Sequence, residues 1–229
     1  MPSWFFRRRR RNFKWRWDRE VKIAMDTKSH WETVYNQKKP GEVSWYKPHL
    51  DLSLRILKNA GLNPSSCIID VGAGASTLVD DLINLGVKSL TVLDISGEAL
   101  GISKTRLGQQ ANKAEWIEAD ITQAKLRKGH YDIWHDRAVF HFLTDAKDRR
   151  RYAIVMTEAL KPHGQLVMAT FSLEGPPRCS GLDIVRYSPQ TLQAELGKGF
   201  RLIEALEEEH QTPFNTTQKF ICCRFEKIS

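Results

Sequence analysis

From residue 68 onward the chain alternates short apolar runs with longer amphipathic stretches. The runs at 68–71, 90–95, 114–117, 131–135 and 164–171 are continuous enough for strands buried on both faces. The segments 77–85, 97–110 and 149–160 repeat apolar residues at helical spacing. Such alternation predicts an α/β fold, a parallel sheet with helices on both faces. The last third changes character: 200–209 and 219–225 read as strands joined by 210–217, an antiparallel hairpin at the sheet edge. Ahead of the first strand an amphipathic segment at 50–59 closes on Ala60 and Gly61. Further upstream, Ser29 with Glu32 three places on has the capping-box pattern and predicts a helix starting there and broken by Pro40 and Gly41. The chain shows no internal repeat and no second domain.

Composition narrows the class. With 229 residues and 41% apolar content the chain can bury a single sizeable core without staples. No apolar run approaches the ~20 residues of a membrane-spanning helix. Cys67, Cys179, Cys222 and Cys223 show neither metal spacing nor a disulfide framework, so a reducing cytoplasm and no metal are expected. The net charge of +8 is unevenly placed, because residues 1–24 hold nine basic side chains against Asp18 and Glu20. This arm interleaves aromatics with arginines and is expected to be disordered. Its chemistry suits RNA or an anionic membrane surface, or it is an extension upstream of a start at Met25. Nucleic acid is expected only through the arm, since the remainder is close to neutral. The expected division is therefore an arm at 1–24 and a domain at 25–229, made of an N-terminal segment (25–62) and a core (63–229).

Candidate chemistry gathers where the apolar runs end. The first strand closes on Asp70-Val-Gly72-Ala-Gly74, and the second on Asp94. Alternating glycines let the backbone approach a ligand, and a carboxylate at a strand end can accept two hydrogen bonds from a ribose diol. Together they predict a nucleoside-binding crevice. A dinucleotide site needs a third glycine, and Thr77 stands there. Asp70 beside the turn would repel a pyrophosphate, whereas the ammonium and sulfonium of S-adenosylmethionine suit it. A dehydrogenase-like domain is disfavoured by the same two residues.

These residues resemble the class I S-adenosylmethionine-dependent methyltransferases, from about Trp31 to Phe225. Asp70-Val-Gly72-Ala-Gly74 is similar to the family's first motif, with Ser76 where many members carry glycine. Asp94 matches its ribose ligand, Ala119-Asp120-Ile121 the segment that meets adenine, and 131–137 the fourth strand, whose end faces the transferred methyl group. The resemblance implies a Rossmann-like, seven-stranded, mostly parallel sheet with its last strand reversed, and S-adenosylmethionine as cofactor. It implies a cofactor-binding set of Asp70, Gly72, Ala73, Gly74, Asp94, Ile95, Asp120, Ile121 and Trp45. Trp45 and Tyr46 either fold over the cofactor as a lid or pack the N-terminal helix onto the sheet.

Alternation along the fourth strand sets Asp132, Trp134 and Asp136 on one side and Ile133 and His135 on the other. Asp136 is the leading catalytic candidate, to orient a nucleophile or take its proton, followed by His141 and His135. The bland reading of each histidine is a hydrogen-bonded packing residue. Arg137 either fixes an acidic group of the substrate or pairs with Asp136. Arg178, Cys179, Ser180 and Arg186, on the loop after the fifth strand, are candidates for the acceptor pocket. The expected activity is methyl transfer to a small molecule or a protein lysine. The alternative is a non-catalytic RNA-interacting module that docks through the basic arm.

Overall fold

A computed structural model describes the backbone of residues 17–228 and the side chains of residues 27–228; residues 1–16, most of the basic arm, lie outside the described residues. The first elements are α1 (Trp17–Gln37) and α2 (Asp51–Asn59), separated by a strap at 43–48. Strand and helix then alternate through β1 (Cys67–Val71), α3 (Leu78–Asn84), β2 (Ser89–Asp94), α4 (Gly97–Leu107) and β3 (Ala114–Glu118). The series continues with β4 (Tyr131–Arg137), α5 (Ala146–Ala159) and β5 (Leu160–Phe171). A two-residue pair, β6 (Arg178–Cys179) and β7 (Leu182–Asp183), precedes α6 (Pro189–Leu196), β8 (Phe200–Gln211) and β9 (Thr217–Lys227).

The long strands form one seven-stranded sheet in the order β3-β2-β1-β4-β5-β9-β8. β1 to β5 are parallel, while β9 runs antiparallel to both β5 and β8. The expected reversed last strand and edge hairpin are both present. Each face is covered for the reason the apolar runs gave. Ile56 and Leu57 of α2 with Leu78 and Leu82 of α3 fill one side, and Tyr152 and Met156 of α5 with Leu192 and Leu196 of α6 fill the other. On β4 the side chains alternate between these layers, Ile133 into the first and Trp134 into the second. Chain order switches beside β1, where a crevice opens at the carboxyl ends of the strands.

The expected start of the first helix at Ser29 is wrong. Ser29 lies inside α1, where its carbonyl accepts a hydrogen bond from the Thr33 hydroxyl. Glu32 does not close a capping box but reaches across to the start of α4, accepting from Gly97 N–H at 2.8 Å, Glu98 N–H at 3.2 Å and the Ser96 hydroxyl at 3.2 Å. A carboxylate meets the unpaired donors and positive dipole end of another helix, which outweighs the local pattern. Helix α6 was not expected. Its signals are short-range: Ser188 accepts from Thr191 N–H, Pro189 follows, and Leu192 and Leu196 alone make the buried stripe.

Asp136 does not face the crevice. It is fully buried against α5, where the Tyr152 hydroxyl donates to it at 2.6 Å and Val139 N–H at 3.0 Å. Trp134 Nε1–H donates in turn to the Tyr152 oxygen at 2.8 Å. The sequence parity was right, but that side of the strand end is closed by the helix. Burial pushes the Asp136 carboxyl up to about 6, against the hydrogen bonds from Tyr152 and Val139 that hold it down. The folded protein therefore keeps this proton to a higher pH than the unfolded chain, and this group's contribution to stability falls as pH rises from about 4 to about 6.

Two outcomes follow for stability. Glu32→Ala should lower it by about 1–2 kcal/mol, read as a lower urea midpoint at unchanged slope. Asp136→Asn removes the titration and keeps one of the two acceptor oxygens, so the bond to Tyr152 or to Val139 is lost at every pH alike. Its stability relative to wild type should therefore improve by about 1–3 kcal/mol between pH 4 and pH 7.5; urea unfolding at both pH values checks this, and a constant difference would refute the assignment.

Candidate active site

The floor of the crevice is the turn that follows β1. Gly72 and Gly74 take positive φ values of 65° and 55°, a region open to glycine at little cost. Gly72 N–H bonds the Leu93 carbonyl at 2.7 Å, and Gly74 N–H bonds Asp94 Oδ2 at 2.8 Å. The other Asp94 oxygen accepts from Ser96 N–H at 2.8 Å, so one carboxylate braces the turns after both β1 and β2. The glycines were expected to make room for a ligand. A Cβ at Gly72 would instead lie 1.7 Å from Val139 Cγ2, and one at Gly74 would lie 2.3 Å from the Tyr35 hydroxyl. The room they make is filled by protein. Ser76, in the place of a further glycine, caps the next helix by accepting from Leu78 N–H at 3.1 Å.

Three carboxylates stand along this floor. Asp70 is buried, with Oδ1 2.7 Å from His135 Nδ1, and His135 Nε2 lies 3.0 Å from the Ser53 hydroxyl on α2. Asp70 Oδ2 has no hydrogen-bond partner among the described residues. Burial pushes the Asp94 carboxyl up to about 6, opposed by the N–H groups of Ser96 and Gly74, so it is mostly ionised at neutral pH. Asp120 begins a tight turn after β3, accepting from Thr122 N–H and from the Thr122 hydroxyl, both at 2.8 Å, and from Gln123 Nε2 at 3.1 Å.

Above the floor lies a cavity of about 670 Å³. Asp70, Gly72, Ala73, Asp94, Ile95, Asp120, Ile121 and Trp45 all line it; Gly74 does not, being covered by Tyr35. Its roof is aromatic. Trp45 of the strap sits edge-on to Trp31 at 5.7 Å and to Tyr35 at 6.4 Å, so it lines the cavity and packs α1 at once. The strap is tied by His210 Nε2 to the Ser44 carbonyl at 2.7 Å, by Arg137 Nη1 to the Trp45 carbonyl at 3.2 Å, and by the Thr77 hydroxyl to the Pro48 carbonyl at 2.8 Å. Trp31 and Tyr35 were not singled out from the sequence, although their i, i+4 spacing puts two aromatics on one helix face.

Beyond the strap the cavity ends among Arg137, Phe142, Phe171, Cys179 and Phe220. His141 is not there. It is fully buried beneath, its ring stacked on Phe171 at 4.7 Å, and burial, with the nearby charge of Arg137, pushes it down to about 3. It is a neutral packing residue. Of the four loop candidates only Cys179 reaches the cavity. Burial pushes its thiol up to about 11, so it is protonated at neutral pH and no nucleophile. Arg178 pairs with Asp183, and Arg186 holds the loop through the carbonyls of Leu173 and Gly175. Among the described residues no three metal-ligating side chains cluster, and no helix is long and apolar enough to cross a membrane.

Residues 68–164 match a family model described as a methyltransferase domain. Over 200 residues the chain is 19% identical to EEF1A lysine methyltransferase 2 of Homo sapiens, covering 81% of this chain and 79% of that protein. It is 23% identical over 120 residues to eEF1A lysine and N-terminal methyltransferase of Mus musculus. That match takes in 52% of this chain but only 17% of the mouse protein's length. Among solved structures, N-methyltransferase NodS from Bradyrhizobium japonicum, crystallised with S-adenosylhomocysteine, superposes with a TM-score of 0.67 at 18% identity, over 87% of this chain and all of that one. Residues 68–164 thus match a methyltransferase domain, and the β3-β2-β1-β4-β5-β9-β8 sheet that carries the glycine turn and the three carboxylates has the fold of the solved N-methyltransferase.

Proposed function

We propose that this protein transfers the methyl group of S-adenosylmethionine to a nucleophile held at the aromatic end of the cavity. One observation carries the reading: a single cavity joins the carboxylate floor to an enclosed end walled by Phe142, Phe171 and Phe220. The donor set fits the cofactor. Asp70 Oδ2, buried and unpartnered, suits an ammonium. Asp94 keeps lone pairs for ribose hydroxyls after its two backbone bonds, and Asp120 and Ile121, which line the same cavity, would meet adenine. S-adenosylmethionine supplies a methyl group activated by a sulfonium. The roof of Trp31, Tyr35 and Trp45 keeps water from that centre.

Asp136 and His141 are buried off the cavity wall, and Cys179 holds its proton. The chain's contribution is alignment of the acceptor in line with the leaving thioether and exclusion of water. The acceptor is a small molecule or a protein lysine, the latter supported by the names of the relatives. Four unpaired cysteines support a reducing, cytoplasmic setting. The RNA-docking alternative concerns an arm that lies mostly outside the described residues, and no finding supports it.

Calorimetry tests the cofactor. Wild type should bind S-adenosylhomocysteine with micromolar affinity, and Asp94→Asn should weaken binding about tenfold or more, about 1.4 kcal/mol. No binding by folded wild type would remove the reading. Incubation with methyl-labelled S-adenosylmethionine and cell extract should then place label in either the protein or the small-molecule fraction, and label in neither would count against transfer.

A further inference from the structure

Arg137 closes the acceptor end of the cavity, and its guanidinium is incompletely satisfied. The side chain is only 8% exposed. Nη1 donates to the Trp45 carbonyl, and the guanidinium carbon lies 5.0 Å over the Phe220 ring. Nη2 has no hydrogen-bond partner among the described residues. Of the two readings of Arg137, pairing with Asp136 does not occur, since that carboxylate is turned to Tyr152. The nearest carboxylate is Glu208, with Oε2 at 3.8 Å from Nη2, beyond hydrogen-bond range. Its other oxygen is held by Lys47. Two cations thus share one carboxylate. The buried thiols nearby, Cys179 and Cys222, are pushed up by burial and stay neutral. Desolvation of the guanidinium is a cost that an unmet N–H donor leaves uncompensated.

An acceptor with an anionic oxygen would supply what is missing. Arginine presents its N–H groups in a planar fork that matches a carboxylate, and Phe142, Phe171 and Phe220 offer flat apolar walls beside it. We propose that Arg137 determines acceptor specificity, and that the acceptor is a small molecule joining a carboxylate or similar anionic oxygen to a flat apolar body. The inference rests on the methyltransferase reading for the ligand's role as acceptor. It places a lysine ammonium at a disadvantage, because the same end of the cavity carries excess positive charge.

The test uses the full chain saturated with S-adenosylhomocysteine and three probes of one shape: benzoate, benzyl alcohol and benzylamine. Calorimetry should show benzoate bound at least tenfold more tightly than either of the others. Arg137→Gln should lose that preference at least tenfold; because Nη1 also ties the strap through the Trp45 carbonyl, its affinity for S-adenosylhomocysteine falls as well, and the three probes are compared on the saturated variant. Arg137→Lys should retain part of the preference. A merely structural role would weaken all three probes alike. Benzylamine bound as well as benzoate by wild type, no benzoate binding, or equal benzoate affinity in Arg137→Gln would each overturn the proposal. Should Arg137→Gln fail to fold, the wild-type order of the three probes decides alone. Benzoate binding without any affinity for S-adenosylhomocysteine would defeat the methyltransferase reading and leave the anion site standing.

Discussion

The site depends on the Asp94 carboxylate, which accepts one backbone N–H from each of the two turns that build the cavity floor. Gly74 and Ser96 belong to different loops, and this is the group that fixes their separation. The dependence runs further. Ser96 leads into α4, whose first N–H groups are met by Glu32, and Glu32 sits on the helix that carries Trp31 and Tyr35. Tyr35 comes back to lie over Gly74 in the space a Cβ would need. Floor, helix start and roof form one closed circuit of contacts, and two of its links use a carboxylate to satisfy backbone donors that hydrophobic packing cannot.

Much of this was legible in the chain. The strands of the large sheet were located from the sequence, the central ones because strands covered on both faces leave few polar positions to blur the apolar run, and β8 because its apolar and polar residues interleave. The acidic strand ends and the glycine turn located the floor for the same local reason. What failed was long-range. The Ser29 and Glu32 pattern obeys a rule of neighbours, yet Glu32 finds stronger donors 65 residues away. Asp136 had the right parity and the wrong surroundings, since alternation says which side of a sheet a residue takes but not whether a helix closes it. Phe171 and Phe220 are adjacent only through the antiparallel pairing of β5 with β9, which no spacing in sequence expresses.

Charge is graded along the cavity. At the cofactor end lie three carboxylates, one with an unpartnered oxygen. At the other end lie Arg137 and Lys47 around the single carboxylate of Glu208. Low-dielectric aromatic walls leave both fields little screened, so each end favours ligand groups of the sign opposite to its own.

The strap at 43–48 has a consequence for timing. Its ties to Thr77, Arg137 and His210, together with the Lys47–Glu208 ion pair, are made between protein groups alone. Because the roof is already ordered, ligand affinity is not reduced by the entropy of ordering it. Any opening of the cavity through this roof requires those ties to part together, so passage by that route is set by local opening of six residues and not by diffusion alone.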